Sequence, residues 1–143
     1  MKKIISLTTI TFLLATFFIA CKKDDTSSST TLQTSALVTQ GIWRITYYND
    51  SGIDETSNFT GYTFTFTSGG SVTAISGSIA TNGTWNSYND DSQNKLYLEI
   101  GSTPPLDELK GDWHITEKTS VKIKLEDVSG GGSGTDYLTF EKL

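Results

Sequence analysis

In "GYTFTFTS", Gly61 to Ser68, the residues Tyr62, Phe64 and Phe66 point one way while Thr63, Thr65 and Thr67 point the other. Side chains alternate like this only on a half-buried strand, where successive Cβ atoms leave opposite faces of a sheet. The same period of two returns in "KLYLEI" with Leu96, Leu98 and Ile100, and in "SVKIKLE" with Val121, Ile123 and Leu125. "DYLTFEK" repeats it with Leu138 and Phe140 opposite Tyr137, Thr139 and Glu141. No window carries apolar residues at helical spacing for more than about a turn, although "PPLDELKG", Pro104 to Gly111, suits a short helical turn after its prolines.

Turn signals separate these runs: Ser68-Gly69-Gly70, Asn82-Gly83, Asn89 to Ser92, Lys118-Thr119 and the glycine-rich "SGGGSGT" of Ser129 to Thr135. They divide the chain into eight expected strands, near 41–48, 60–68, 71–77, 83–88, 94–101, 110–117, 120–127 and 135–142. Short links favour antiparallel neighbours in chain order, and closing such a meander removes both exposed edges. The expected fold is therefore all-β, an eight-stranded antiparallel up-and-down barrel. A two-sheet β-sandwich is the alternative that the same signals permit.

The start of the chain has a different character. Lys2 and Lys3 precede "IISLTTITFLLATFFIA", Ile4 to Ala20, which has no charge, no Gly and no Pro. A basic start leading into an apolar run of this length is an export signal. A membrane-spanning helix needs about 20 predominantly apolar residues; this run has 17, five of them Ser or Thr. It ends at Cys21, the only cysteine, which can form no internal disulfide and would be a reactive liability as an exposed free thiol.

With Phe18, Ile19 and the small Ala20 before Cys21, these residues resemble the bacterial lipoprotein signal class. The resemblance implies that residues 1–20 are removed and that Cys21 becomes the first mature residue, with a diacylglycerol on sulfur and an acyl chain on its amine. At roughly 0.8 kcal/mol per buried CH₂, several such chains hold a protein on a membrane without a spanning helix. An ordinary cleaved signal with an incidental Cys is the alternative. "KDD", Lys23 to Asp25, resembles the Lys-acidic-acidic signal of surface-exposed Bacteroidota lipoproteins, and a solvated tether explains the same three residues. "TSSSTTLQTS", Thr26 to Ser35, has one apolar residue in ten and reads as a flexible stalk. The expected organisation is a signal at 1–20, a lipidated Cys and tether at 21–35, and one barrel domain at 36–143. Its expected location is the cell envelope, anchored to the outer membrane and facing either the periplasm or the outside.

After residue 20 the chain keeps 9 basic against 16 acidic residues, a net charge of -7 by 9 minus 16. No basic stripe is present to neutralise phosphates, so nucleic acid is not an expected partner. The membrane, reached through Cys21, is. Catalysis needs a proton-exchanging group or an activated nucleophile, and the only His is His114, expected to face outward opposite Trp113 and Ile115. No catalytic dyad emerges and no enzyme activity or cofactor is expected. The acidic pairs Asp54-Glu55, Asp90-Asp91, Asp107-Glu108 and Glu126-Asp127 read as hydrated loops and strand ends. "NDSGIDE", Asn49 to Glu55, lacks the spacing of a calcium loop. No metal site is expected.

Each of the three tryptophans sits in one local phrase: "GIW" at 41–43, "GTW" at 83–85 and "GDW" at 111–113. Gly allows a close approach or an unusual backbone angle at a strand start, and the Trp two residues on fills a barrel end. Gly41 and Trp43 on an opening strand resemble the Gly-x-Trp signature of lipocalins. Roughly residues 38–143 are similar to the lipocalin-like domain of small Bacteroidota lipoproteins. That likeness rests on the order of Gly-x-Trp, "TFTF", a second Gly-x-Trp, Leu-x-Leu-x-Ile, "W-x-I" and a last strand ending "LTFEK". Lipocalins also place an Arg near the last strand, packed across the first Trp; here the only Arg is Arg44, and Lys142 stands near the end. The resemblance implies a small apolar or amphipathic ligand at the barrel mouth, contacted by Trp43, Tyr47, Phe64, Phe66, Trp85, Leu98 and Trp113. Core filling competes with ligand contact at each of them, because an eight-stranded barrel is just wide enough for its own side chains. The competing role is a solid interaction module whose loops 49–59 and 101–110 meet a protein partner.

Overall fold

The structure, a computed structural model, describes residues 26–128 and 134–143. The signal, Cys21, the "KDD" triplet and residues 129–133 of the glycine-rich turn lie outside these. The described chain runs through helix α1 (Thr26–Val38) and strands β1 (Trp43–Asp50), β2 (Ile53–Asp54), β3 (Tyr62–Phe66), β4 (Ser71–Ser76) and β5 (Ile79–Asp90). It continues through β6 (Gln93–Ile100), β7 (Gly111–Lys118), β8 (Lys122–Val128) and β9 (Thr135–Lys142). Every expected strand forms. From β3 to β9 each strand pairs antiparallel with the next, and β9 pairs back with β1 from Trp43↔Lys142 to Asn49↔Tyr137. One continuous sheet therefore closes on itself as an eight-stranded barrel, with the two-residue β2 as an extra hairpin arm on β1. The closure excludes the sandwich. The wall is thinnest between β1 and β3, which share the single pair Trp43↔Phe64.

Alternation puts apolar residues inside, including Phe64, Val72, Leu96, Leu98, Ile123 and Leu138, each at most 1% exposed. Burying such a side chain contributes about 1.5–3 kcal/mol. This arrangement is the inverse of a membrane-spanning barrel, whose outer band is apolar. Among the described residues, no helix is long and apolar enough to cross a membrane.

Both ends of the barrel are covered. At the base, where β1, β4, β6 and β8 begin, α1 lies against β5 and β6, with Thr34 and Val38 fully buried. At the crown, where those strands end, Phe59 comes in from a 3-10 turn at Thr56–Phe59, and Leu106 and Leu109 from the turn at Asp107–Leu109. The helical turn expected after Pro104 and Pro105 is thus present, as part of the crown's cover.

Three expectations are corrected. The stretch read as a flexible stalk is mostly helix α1, because Leu37 and Val38 at its end give it an apolar foothold on the base. Tertiary packing, rather than propensity, sustains most protein helices. Asn82-Gly83 is no turn: it lies inside β5, and the hairpin bends at Gly77, where φ is +59°. Gly83 is required by proximity, since a Cβ there would collide with the Glu99 carbonyl and lie 2.7 Å from Ile100 Cα. Tyr47 is not inward. A bulge between Ile45 and Tyr47 slips the alternation by one, so Ile45 and Tyr48 are buried while Tyr47 is 41% exposed.

Candidate functional site

The interior is built from rings. Trp85 meets Phe66 edge-on at 5.7 Å, Phe66 meets Phe140 at 5.8 Å, and Phe140 meets Phe64 at 5.3 Å. The series continues through Tyr62 to Phe59, and from Phe59 to Tyr48 at 5.1 Å and on to Trp113 at 6.5 Å. Edge-to-face contacts at these spacings add about 0.5–1.5 kcal/mol each beyond area burial. The rings thus run from the base to the crown. Six of the seven candidate contact residues, Trp43, Phe64, Phe66, Trp85, Leu98 and Trp113, lie inside and are at most 5% exposed. The seventh, Tyr47, lies on the outer wall.

Each indole also ties a strand to a flanking segment. Trp43 Nε1 donates to the Val38 carbonyl at 2.8 Å, which satisfies an acceptor that the end of α1 leaves open. Trp85 Nε1 donates to the Thr67 carbonyl at 3.0 Å, and Trp113 Nε1 to the Leu109 carbonyl at 2.9 Å. Two of the three phrases thus join wall to cover, Trp43 at the base and Trp113 at the crown, while Trp85 ties β5 to the β3–β4 turn. Gly41 adopts φ +95°, and Lys142 Nζ lies 5.0 Å from the centre of the Trp43 ring. A lysine thus occupies the cation position over the first tryptophan, in a cation–π contact.

Outside the core, His114 Nδ1 lies 3.2 Å from Glu126 Oε1 across β7 and β8, both side chains about a third exposed. Tyr88 donates to Asp112, which pushes its hydroxyl up to about 12. At the crown, burial raises Glu108 above the usual carboxylate range, with Glu55, Asp107 and Asp50 adding repulsion. Tyr48 Oη donates to the Glu108 carbonyl at 3.2 Å, and burial with Asp50 nearby raises its pKa. Loops 49–59 and 101–110 therefore meet at one acidic end. Among the described residues, no three His, Cys, Asp or Glu converge as a metal-ligand set. Two surface grooves lie on the outer wall, one at the β1–β3 seam and one over β8, β9 and β1. One, of about 440 Å³, lies over Ile45, Phe59 and Tyr62; the other, of about 520 Å³, lies over Tyr47, Thr139 and Tyr137.

The residues that cover the ends, Val38, Phe59, Leu106 and Leu109, were not singled out by the sequence reading. Each is an apolar residue beside or within a polar turn, and periodicity has nothing to register there.

Fold and interior together define a small, closed all-β barrel with covered ends. No family model and no curated protein matches the chain. Among solved structures, a DUF4847 family protein from Bacteroides vulgatus matches with a TM-score of 0.51 at 15% identity, over 77% of this chain and 97% of that one. At that identity the likeness establishes the fold alone.

Proposed function

We propose that this chain is a lipid-anchored protein of the cell envelope, non-enzymatic, whose solid barrel presents its outer surface and crown loops to a protein partner. The anchor is supported by the basic start, the apolar run and Cys21 in their order. The observation that carries the solid-barrel reading is the unbroken ring series between two covered ends, which occupies the space where a lipocalin would hold its ligand. Native mass spectrometry of the protein isolated from its own membranes tests both parts. The expected result is a mass showing acyl groups on Cys21 and no further small molecule. A co-purified apolar compound that exchanges with added lipophilic probes would overturn the solid-barrel reading, and an unmodified Cys21 would overturn the anchor.

A second reading, a lipocalin-like carrier of a small apolar or amphipathic ligand, has one observation in its favour. The wall between β1 and β3 hangs on a single residue pair beside the groove over Ile45 and Phe59. Saturable quenching of tryptophan fluorescence by a lipophilic probe, abolished by a bulkier residue at Thr63, would favour it.

A further inference from the structure

We propose that the barrel itself touches the membrane, and that the β8–β9–β1 side of its base meets an anionic lipid headgroup layer while the crown loops stay turned away from it. This rests on the anchor at Cys21 proposed above and goes beyond it, because it assigns a second, non-covalent contact and an orientation.

The first observation is an exposed aliphatic patch. Leu143 N–H donates to the Ile42 carbonyl and Lys142 N–H to the Val121 carbonyl, both at 2.9 Å, so the backbones at Ile42, Leu143 and Val121 adjoin at the rim of the base. They are 47%, 67% and 57% exposed, respectively.

The second is charge. Arg44, Lys122, Lys124 and Lys142 lie on the lower parts of β1, β8 and β9, around that patch, while Lys118 at the end of β7 turns toward α1 and donates to Thr34 at 2.7 Å. Among the described residues, two acidic side chains share this side: Glu141, 2.8 Å from Lys122, and Glu117, 2.7 Å from Lys124. In a chain whose acids outnumber its bases, that is a concentrated cationic face. Asp90 and Asp91 reach the same end on the opposite wall, in the β5–β6 turn, so one side of the base rather than all of it faces lipid. The crown offers exposed aliphatics too, Ile53, Ile79 and Val128. There Asp50, Asp54, Glu55, Glu108, Asp127 and Asp136 crowd the same end, and an anionic surface would repel it. Charge therefore chooses the base.

The third is chain length. With α1 beginning at Thr26, five residues, 21–25, separate the helix from the end of the export signal. Fully extended, they span at most about 18 Å. The stretch of α1 from Thr26 to Thr34, which is buried at the base, adds about 12 Å of helix. Acyl chains on Cys21 thus keep the base within about 30 Å of the bilayer, a tether short enough to allow contact, and each cation that comes within about 10 Å of the surface strengthens attachment about fivefold.

The test places one environment-sensitive fluorophore on the mature, acylated protein in phosphatidylcholine–phosphatidylglycerol vesicles that carry a nitroxide lipid. It is attached at Val121→Cys in one sample and at Ile79→Cys, the exposed crown position, in another. We expect strong quenching at position 121, weak quenching at 79, and loss of the difference with Lys122→Glu, with added salt, or in vesicles of phosphatidylcholine alone. Equal quenching at both positions in protein whose mass shows acylation would overturn the orientation and leave the anchor standing. If the mass instead shows a bare Cys21, co-sedimentation of the unmodified chain decides the matter. Retention on the anionic vesicles only, reduced severalfold by Lys122→Glu and unchanged by Ile79→Asp, supports the face, and no retention overturns it.

Discussion

Replacing Trp43 by Phe isolates the link between wall and helix. The ring stays, so most of the apolar contact survives, but the indole N–H that reaches Val38 at 2.8 Å is removed inside a buried region. Leaving a buried carbonyl without a donor costs about 1–3 kcal/mol. The cation–π contact with Lys142, 5.0 Å from the ring centre, also weakens, by a fraction of its roughly 0.5–1 kcal/mol. A small void where the indole's second ring stood adds to this, for a total of about 2–4 kcal/mol out of the 5–15 typical of a domain. Urea unfolding followed by circular dichroism measures the total. Hydrogen exchange locates it: the amides of α1 should lose protection early. Trp85→Phe is the control, because its indole N–H goes to Thr67 in the β3–β4 turn and not to the helix. If Trp43→Phe costs less than about 0.5 kcal/mol, or if α1 exchanges no faster than in Trp85→Phe, the helix is not held by this bond and the reasoning fails.

Other consequences are equally concrete. Phe140→Ala, which removes the ring between Phe64 and Phe66, should cost about 3–5 kcal/mol in the same urea assay and open a space that binds benzene, and equal benzene binding by the parent protein would contradict the filled interior. Gly83→Ala should cost about 1–3 kcal/mol, because β5 must move away from Ile100 to admit a methyl group; an unchanged midpoint would contradict the close approach. Glu108 has a folded-state pKa raised by burial, so its favourable contribution is complete below its unfolded value and is lost as pH rises through the folded one. Glu108→Gln should therefore stabilise the protein at neutral pH and converge with the parent near pH 4, and a difference that grows toward acid would contradict it.

The strands were legible because a half-buried strand writes its face into the sequence every second residue, as Phe64 and Phe66 or Leu96 and Leu98 do. Tyr47 was misread at the point where that rule stops holding, since a bulge adds one residue without any compositional mark. Asn82-Gly83 carries the signature of a hairpin turn, yet its glycine serves a close strand approach, and only the neighbouring strand reveals which role applies. Helix α1 was invisible for a related reason: ten residues of mostly Ser and Thr predict no core contact, and the helix depends on a barrel end that local sequence does not describe. The inward aromatics were identifiable as inward. Whether they line a space or fill it depends on Phe59, Leu106 and Leu109, which enter from loops.

The central claim is a barrel filled by its own rings and covered at both ends. A crystal of the domain pressurised with xenon tests it most directly, because xenon occupies apolar space without needing a polar partner. The account predicts no xenon among Phe64, Phe66, Trp85 and Phe140. Ordered xenon between these rings would contradict it.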